Sequence, residues 1–161
     1  MTDPSSLPYR LNVGAVLFGA DNRVLVARRA GLADAAWQLP QGGIDPGEDP
    51  RTAIFRELEE EIGTAHADIL AEHPDWLHYD LPPELIGKAF RGRYRGQRQK
   101  WFALRFLGTD AEIRLDAHAT PEFDAWKWVE LEELPALAVA FKRPIYERLV
   151  RDFAPCIRPG L

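Results

Sequence analysis

Glu57, Glu60 and Glu61, with Arg56 just before them, are the residues of this chain best placed to do chemistry. On a helix, at about 100° per residue, the three carboxylates fall within one arc roughly 100° wide. Charges of one sign held that close repel, so the arrangement weakens the fold unless a cation sits against it. Carboxylate oxygens on a semi-open face suit Mg²⁺ or Mn²⁺, which keep some water and share their remaining positions with phosphate oxygens. Taken alone, the E-x-x-E-E run reads as a solvated helix face.

The surroundings decide for the metal. Gly42 is followed after five residues by Glu48, and after seven more by Arg56 and Glu57, with Gly63 closing the segment. Asp49 suits an N-cap, Pro50 the first helical position, and Gly63 a left-handed exit. Ile54, Phe55, Leu58 and Ile62 fill a neighbouring arc that faces a core, while Glu59 points to solvent. Arg56 precedes Glu60 by one turn, where an ion pair can form.

This segment resembles the Nudix box of hydrolases that split a nucleoside diphosphate linked to another moiety. Each fixed position matches except the last, where Thr64 replaces the usual aliphatic residue; it lies outside the acidic face and bears on packing. Tyr9–Gly14, Trp37–Gln41, Gln97–Phe102, Thr120–Phe123 and Phe141–Arg143 resemble one branch of the family. That branch holds the bacterial RNA pyrophosphohydrolases and the dinucleoside polyphosphate hydrolases. The similarity runs from about residue 9 to 154, and implies a Nudix α/β/α sandwich with a mixed central sheet.

Composition agrees with one globular domain over residues 1–161, with 46% hydrophobic and 28% charged residues. A net charge of −5 argues against a general nucleic-acid coat and leaves room for a local basic patch. The single Cys156 excludes an intrachain disulfide and a cysteine-rich metal site. No apolar run approaches the ~18 residues of a membrane span, and Met1–Pro8 lacks a signal-peptide core, so the cytoplasm is the expected compartment.

Along the chain, Val13–Phe18 and Arg23–Arg28 read as a hairpin across Gly19–Asn22. Trp37–Gln41 reads as one short extended piece and Ala67–Glu72 as a strand, with Pro82-Pro83 opening an irregular stretch to Gly96. Lys100–Leu107 alternates as a half-buried strand would, and Ala125–Leu131 repeats the pattern. Leu134–Ala140 and Pro144–Phe153 read as helices.

Outside the box, Glu122 sits in a turn before a strand, with Asp124 as its local competitor. The resemblance makes Glu122 a fourth acid, on a loop that closes over metals and prepares the attacking water. Residues 88–100 carry Lys88, Arg91, Arg93, Arg95, Arg98 and Lys100 with no acid among them, so they can form an arm over polyphosphate. Interleaved Phe90 and Tyr94 can stack on bases. Arg28 adds charge near the box, and the resemblance sets Arg10 and Arg29 beside the substrate. Tyr79 and Phe141 are candidates for an aromatic clamp, Phe141 the stronger because Lys142 and Arg143 follow it. Lys100 and Lys142 complete the expected substrate contacts.

The chemistry that fits is attack of water on a phosphorus atom, assisted by Mg²⁺ on Glu57, Glu60, Glu61 and Glu122. Glu57 or Glu122 takes the proton, and Arg56 and Glu48 support the glutamates. Removal of diphosphate from 5′-triphosphorylated RNA is the first expectation. Hydrolysis of dinucleoside polyphosphates such as diadenosine tetraphosphate is the alternative. A non-catalytic nucleotide-binding module comes last, because it would call for damage to an acidic cluster that is complete here.

Overall fold

The computed structural model describes residues 6–30, 36–117 and 121–157; the first residues of the Met1–Pro8 segment and Thr120 lie outside them. The expected hairpin forms from β1 (Tyr9–Phe18) and β2 (Val24–Arg29). Asn22 makes its turn with a φ of 67°, in the left-handed region that asparagine tolerates. The piece expected over Trp37–Gln41 is two strands, β3 (Trp37–Gln38) and β4 (Gln41–Gly43). Pro40, which has no N–H to give a ladder, separates them.

β5 spans Ala67–Asp80, well past the expected end at Glu72. Pro74 hid the continuation: the pairing register shifts between Glu72 and Trp76, and the strand resumes beyond the irregularity. β6 (Gly96–Phe106) is buried on both faces and not half-buried, because it lies between β1 and β5 with helices above and below. β7 (Phe123–Val129) pairs with β2. The strand order is β3-β2-β1-β6-β5, with β4 beside β1 and β7 beside β2. β1 and β6 run parallel and the other pairs antiparallel, so the sheet is mixed as expected.

The acidic segment forms α1 (Pro50–Ile62). Asp49 has the extended backbone of an N-cap, but its side chain makes no capping hydrogen bond, contrary to expectation. Gly63 exits with φ 77°, and its N–H donates to Glu59 O at 3.1 Å. Thr64 is buried and its Oγ1 accepts from the His66 N–H, a packing role. α2 (Leu134–Leu137) is a single turn, shorter than the expected Leu134–Ala140, because Ala138 turns extended. α3 spans Arg143–Phe153.

Two apolar layers clamp the sheet. Ile54, Leu58 and Ile62 of α1 pack on Val13, Leu17, Phe102 and Leu104. On the other face Ile145, Tyr146, Leu149 and Phe153 of α3 pack with Val16, Val26, Leu77 and Trp101. Burial of each such side chain contributes about 1.5–3 kcal/mol. Gly14 matters here because a Cβ on it would overlap the fully buried Trp101 ring. No helix among the described residues is long and apolar enough to cross a membrane.

Candidate active site

The three glutamates of α1 reach a cavity of about 880 Å³ where short β4 lies alongside β1. Gly42 opens the way: a Cβ there would occupy the space of the Glu57 carboxyl group. Glu57 and Glu61 are buried, at 8% and 4% exposure, whereas Glu60 stays in solvent. Burial pushes the Glu57 carboxyl up, with Glu60 and Glu122 adding to the rise against the pull of Arg56. Glu61 is raised well above the ordinary value, first by burial and then by the charges of Glu122 and Glu57. The Gln41 N–H, at 3.3 Å from Glu61 Oε2, opposes that shift.

Arg56 holds the arrangement from beneath. It donates to both oxygens of Glu48 at 2.8 Å, to Gly43 O at 2.9 Å, to Glu57 at 2.9 Å and to Glu60 at 3.2 Å. The bidentate guanidinium and the Asp45 N–H bring the Glu48 carboxyl down to about 2. Arg56, grouped with the acids as a residue placed to do chemistry and expected to support the glutamates, spends its donors on these partners and does not line the cavity. Glu48 closes the turn that delivers Gly42 and Gly43, as its spacing suggested.

Glu122 joins the glutamates, lining the cavity from the turn before β7. Asp124, its competitor, is engaged elsewhere by Arg28 at 3.1 Å. Arg10, Arg29 and Lys142 line the same cavity as the acids. Burial and the nearby Arg29 lower the Lys142 ammonium to about 8, while Glu61 and Glu122 pull it back up. Tyr79 and Phe141 meet at 5.4 Å between ring centroids, so both clamp candidates belong to one wall. Tyr79 is the more buried, and its hydroxyl accepts from Gln97 Nε2 at 2.7 Å.

The basic segment divides between the two sides of the sheet. Arg91 and Arg93 line the cavity, with Phe90 and Tyr94 beside them. Lys100, expected to bind substrate, points away: it is buried against Glu72 at 3.5 Å and over the Trp76 ring at 5.9 Å. Alternation along β6 explains the correction, since Gln97 and Gln99 take the cavity side and Arg98 and Lys100 the other.

Sequence reasoning passed over the amides that brace the site. Trp101 Nε1 donates to Gln99 Oε1, and Gln99 Nε2 reaches Asn12 Oδ1 at 3.0 Å and Gln41 Oε1 at 2.6 Å. Gln41 in turn supplies the N–H on Glu61. Two glutamines spaced by two, and so on one face of a strand, were the available signal, because buried amides need partners.

Among the described residues no three acidic, histidine or cysteine side chains already converge as metal ligands. Arg56 donates to Glu57 Oε1 at 2.9 Å and to Glu60 at 3.2 Å. The donor set nevertheless fits a hard divalent cation: it is all carboxylate oxygen, partly buried, and mutually repelling without a positive charge.

The NUDIX domain model matches residues 8–149. The chain is 66% identical to the RNA pyrophosphohydrolase of Acidiphilium cryptum, over 96% of this chain and 95% of that protein. It is 59% identical to the RNA pyrophosphohydrolase of Gluconacetobacter diazotrophicus, covering 99% and 100%. Among solved structures, a MutT protein from Methanosarcina mazei has TM-score 0.65 at 21% identity, covering 91% and 96%. A C. elegans Ap4A hydrolase complex has TM-score 0.64 at 21% identity, covering 91% and 98%. Such structural likeness speaks for the fold, while the matched model and the sequence identities speak for descent. The chain belongs to the NUDIX family.

Proposed function

We propose that this protein is a Mg²⁺-dependent pyrophosphohydrolase that removes diphosphate from the 5′ end of triphosphorylated RNA. Water and the triphosphorylated end give a 5′-monophosphorylated RNA and diphosphate. The carrying observation is one cavity lined both by Glu57, Glu60, Glu61 and Glu122 and by Arg10, Arg29, Arg91, Arg93 and Lys142, with Tyr79 and Phe141 among its walls. Those basic side chains suit the oxygens of a phosphate chain, and the carboxylates suit the cation such a chain carries. The names of the relatives at 59–66% identity support RNA as the carrier of the triphosphate.

NUDIX hydrolases in general need a divalent cation. When bound, Mg²⁺ neutralises phosphate charge and acidifies water. Glu57, Glu60 and Glu61 would hold it, with Glu122 joining from the turn before β7. Glu57 or Glu122 would accept the proton of the attacking water. Arg10, Arg29 and Lys142 stabilise charge that grows on the departing diphosphate. Phe141, backed by Tyr79, takes a base and so orients the 5′ end. Arg56 acts through the glutamates as a positioning residue.

Dinucleoside polyphosphate hydrolysis is the weaker reading, since the Ap4A hydrolase likeness is structural and at 21% identity. Purified protein given Mg²⁺ and either triphosphorylated RNA or diadenosine tetraphosphate separates the two. Faster release of diphosphate from RNA is expected, and hydrolysis of the dinucleotide alone would reverse the assignment.

A further inference from the structure

The side of the sheet away from the cavity carries a second constellation. Strand alternation sends Arg10, Gln97 and Tyr79 into the cavity and their neighbours Tyr9, Leu11, Arg98 and His78 to the outer face. Leu11, Arg98 and His78 form one cross-strand row, and Lys100 pairs with Trp76 in the next. Tyr9 reaches across the side-chain-free Gly96 to Asp80 at 2.6 Å and meets the His78 ring at 5.2 Å.

Cations cover these rings. Arg95 lies 4.9 Å from the Tyr9 centroid, and Arg98 lies 5.7 Å from that of Trp76. Arg95 and Lys100 have carboxylate partners in Asp80 and Glu72. Arg98 is exposed and has no carboxylate partner among the described residues, so its charge is available.

We propose that this outer face is a docking surface for single-stranded RNA, taking nucleotides downstream of the reacting 5′ end; the proposal rests on the RNA reading above. Guanidinium planes on aromatic rings offer bases a stacking platform and phosphates a cation in the same place. A protein partner is less suited: of the described large apolar side chains on this face only Leu11, at 48%, is widely exposed. The cavity and this face are the two sides of the same three strands, so RNA leaving the first reaches the second by rounding the end of the sheet.

The test compares a 5′-triphosphorylated dinucleotide with a ten-nucleotide RNA of the same first two residues, using the full chain with Mg²⁺. The variants are Arg98→Glu alone and Trp76→Ala with Arg98→Gln. On the longer RNA, kcat/KM should fall about fivefold or more, the scale of one lost base stack. On the dinucleotide it should change less than twofold, which also reports an intact fold. If the double variant fails to fold, Arg98→Glu carries the test, with a flatter salt dependence expected on the longer RNA alone. An unchanged rate on the longer RNA, or equal losses on both substrates, would overturn the proposal and leave this face to a protein partner or to fold stability. Failure of the wild type to release diphosphate from either RNA would instead refute the underlying function.

Discussion

The carboxyl group of Glu57 sits in the space that a side chain at Gly42 would fill. The glycine is required there for room and not for an unusual backbone, since it is absent from the positive-φ glycines of the described chain. Gly42→Ala should therefore fold and still displace Glu57. A shift of about 1 Å in a catalytic group can cost about 100-fold in rate. Circular dichroism close to wild type with kcat down by that order is expected. A rate near wild type would show that Glu57 works equally well from another position.

Glu61 ties stability to pH. Its carboxyl is raised from 4.5, chiefly by burial, so the folded chain binds more protons than the unfolded chain above that pH. The stability it contributes is complete below the ordinary value and is lost as pH rises through the raised one. Glu61→Gln removes the ionisation. With EDTA present, the variant should melt above wild type at pH 8, and the gap should close as pH falls toward 4. Its Mg²⁺-dependent turnover should nearly vanish. A gap that widens on acidification would reverse the sign and contradict the burial account.

The box was legible because helical period, caps and charge all bear on one short segment. Glu57, Glu60, Glu61, Glu48 and Gly42 met where the spacing placed them, and Glu122 joined across the chain. Lys100 was misplaced because its direction depends on strand register, and a one-residue slip sends a side chain to the other face. The run from Lys88 to Lys100 read as one arm, although Arg91 and Arg93 lie in a turn that lines the cavity while β6 turns Arg98 and Lys100 to the other face. β5 escaped full recognition because Pro74 and its irregularities break the alternation. Asn12, Gln41 and Gln99 lie in segments that carry the resemblance, but their bracing role stayed hidden because hydrogen bonds between distant strands leave no local pattern.

Phe141 is half-buried against Tyr79 and borders the cavity, so its ring serves both packing and binding. Phe141→Ala should weaken binding of triphosphorylated RNA by about 1–3 kcal/mol, the scale of an aromatic stacked on a base. Phe141→Tyr should recover most of it. Titration of an RNA in Ca²⁺, which slows turnover, measures both. A large fall in melting temperature with unchanged affinity would place Phe141 in the core and out of the clamp.

Arg91 and Arg93 line the cavity, whereas Arg95 is held by Asp80 on the opposite side. Changing Arg91 and Arg93 to Gln should flatten the dependence of log Kd on log salt by up to about two phosphate contacts. Arg95→Gln should leave that slope nearly intact for a dinucleotide substrate. Equal effects from all three would mean that the segment acts as a diffuse charge and not as two separate faces.

Following the products of a 5′-triphosphorylated RNA with Mg²⁺, for wild type and Glu60→Gln, is the decisive measurement of the proposed reaction. Glu60 is the exposed member of the acidic arc, so its loss alters charge with little effect on the core. The wild type should yield diphosphate and 5′-monophosphorylated RNA one to one, faster than it splits diadenosine tetraphosphate, and Glu60→Gln should be nearly inactive at saturating Mg²⁺. No diphosphate from the wild type, or equal turnover by Glu60→Gln, would contradict the account.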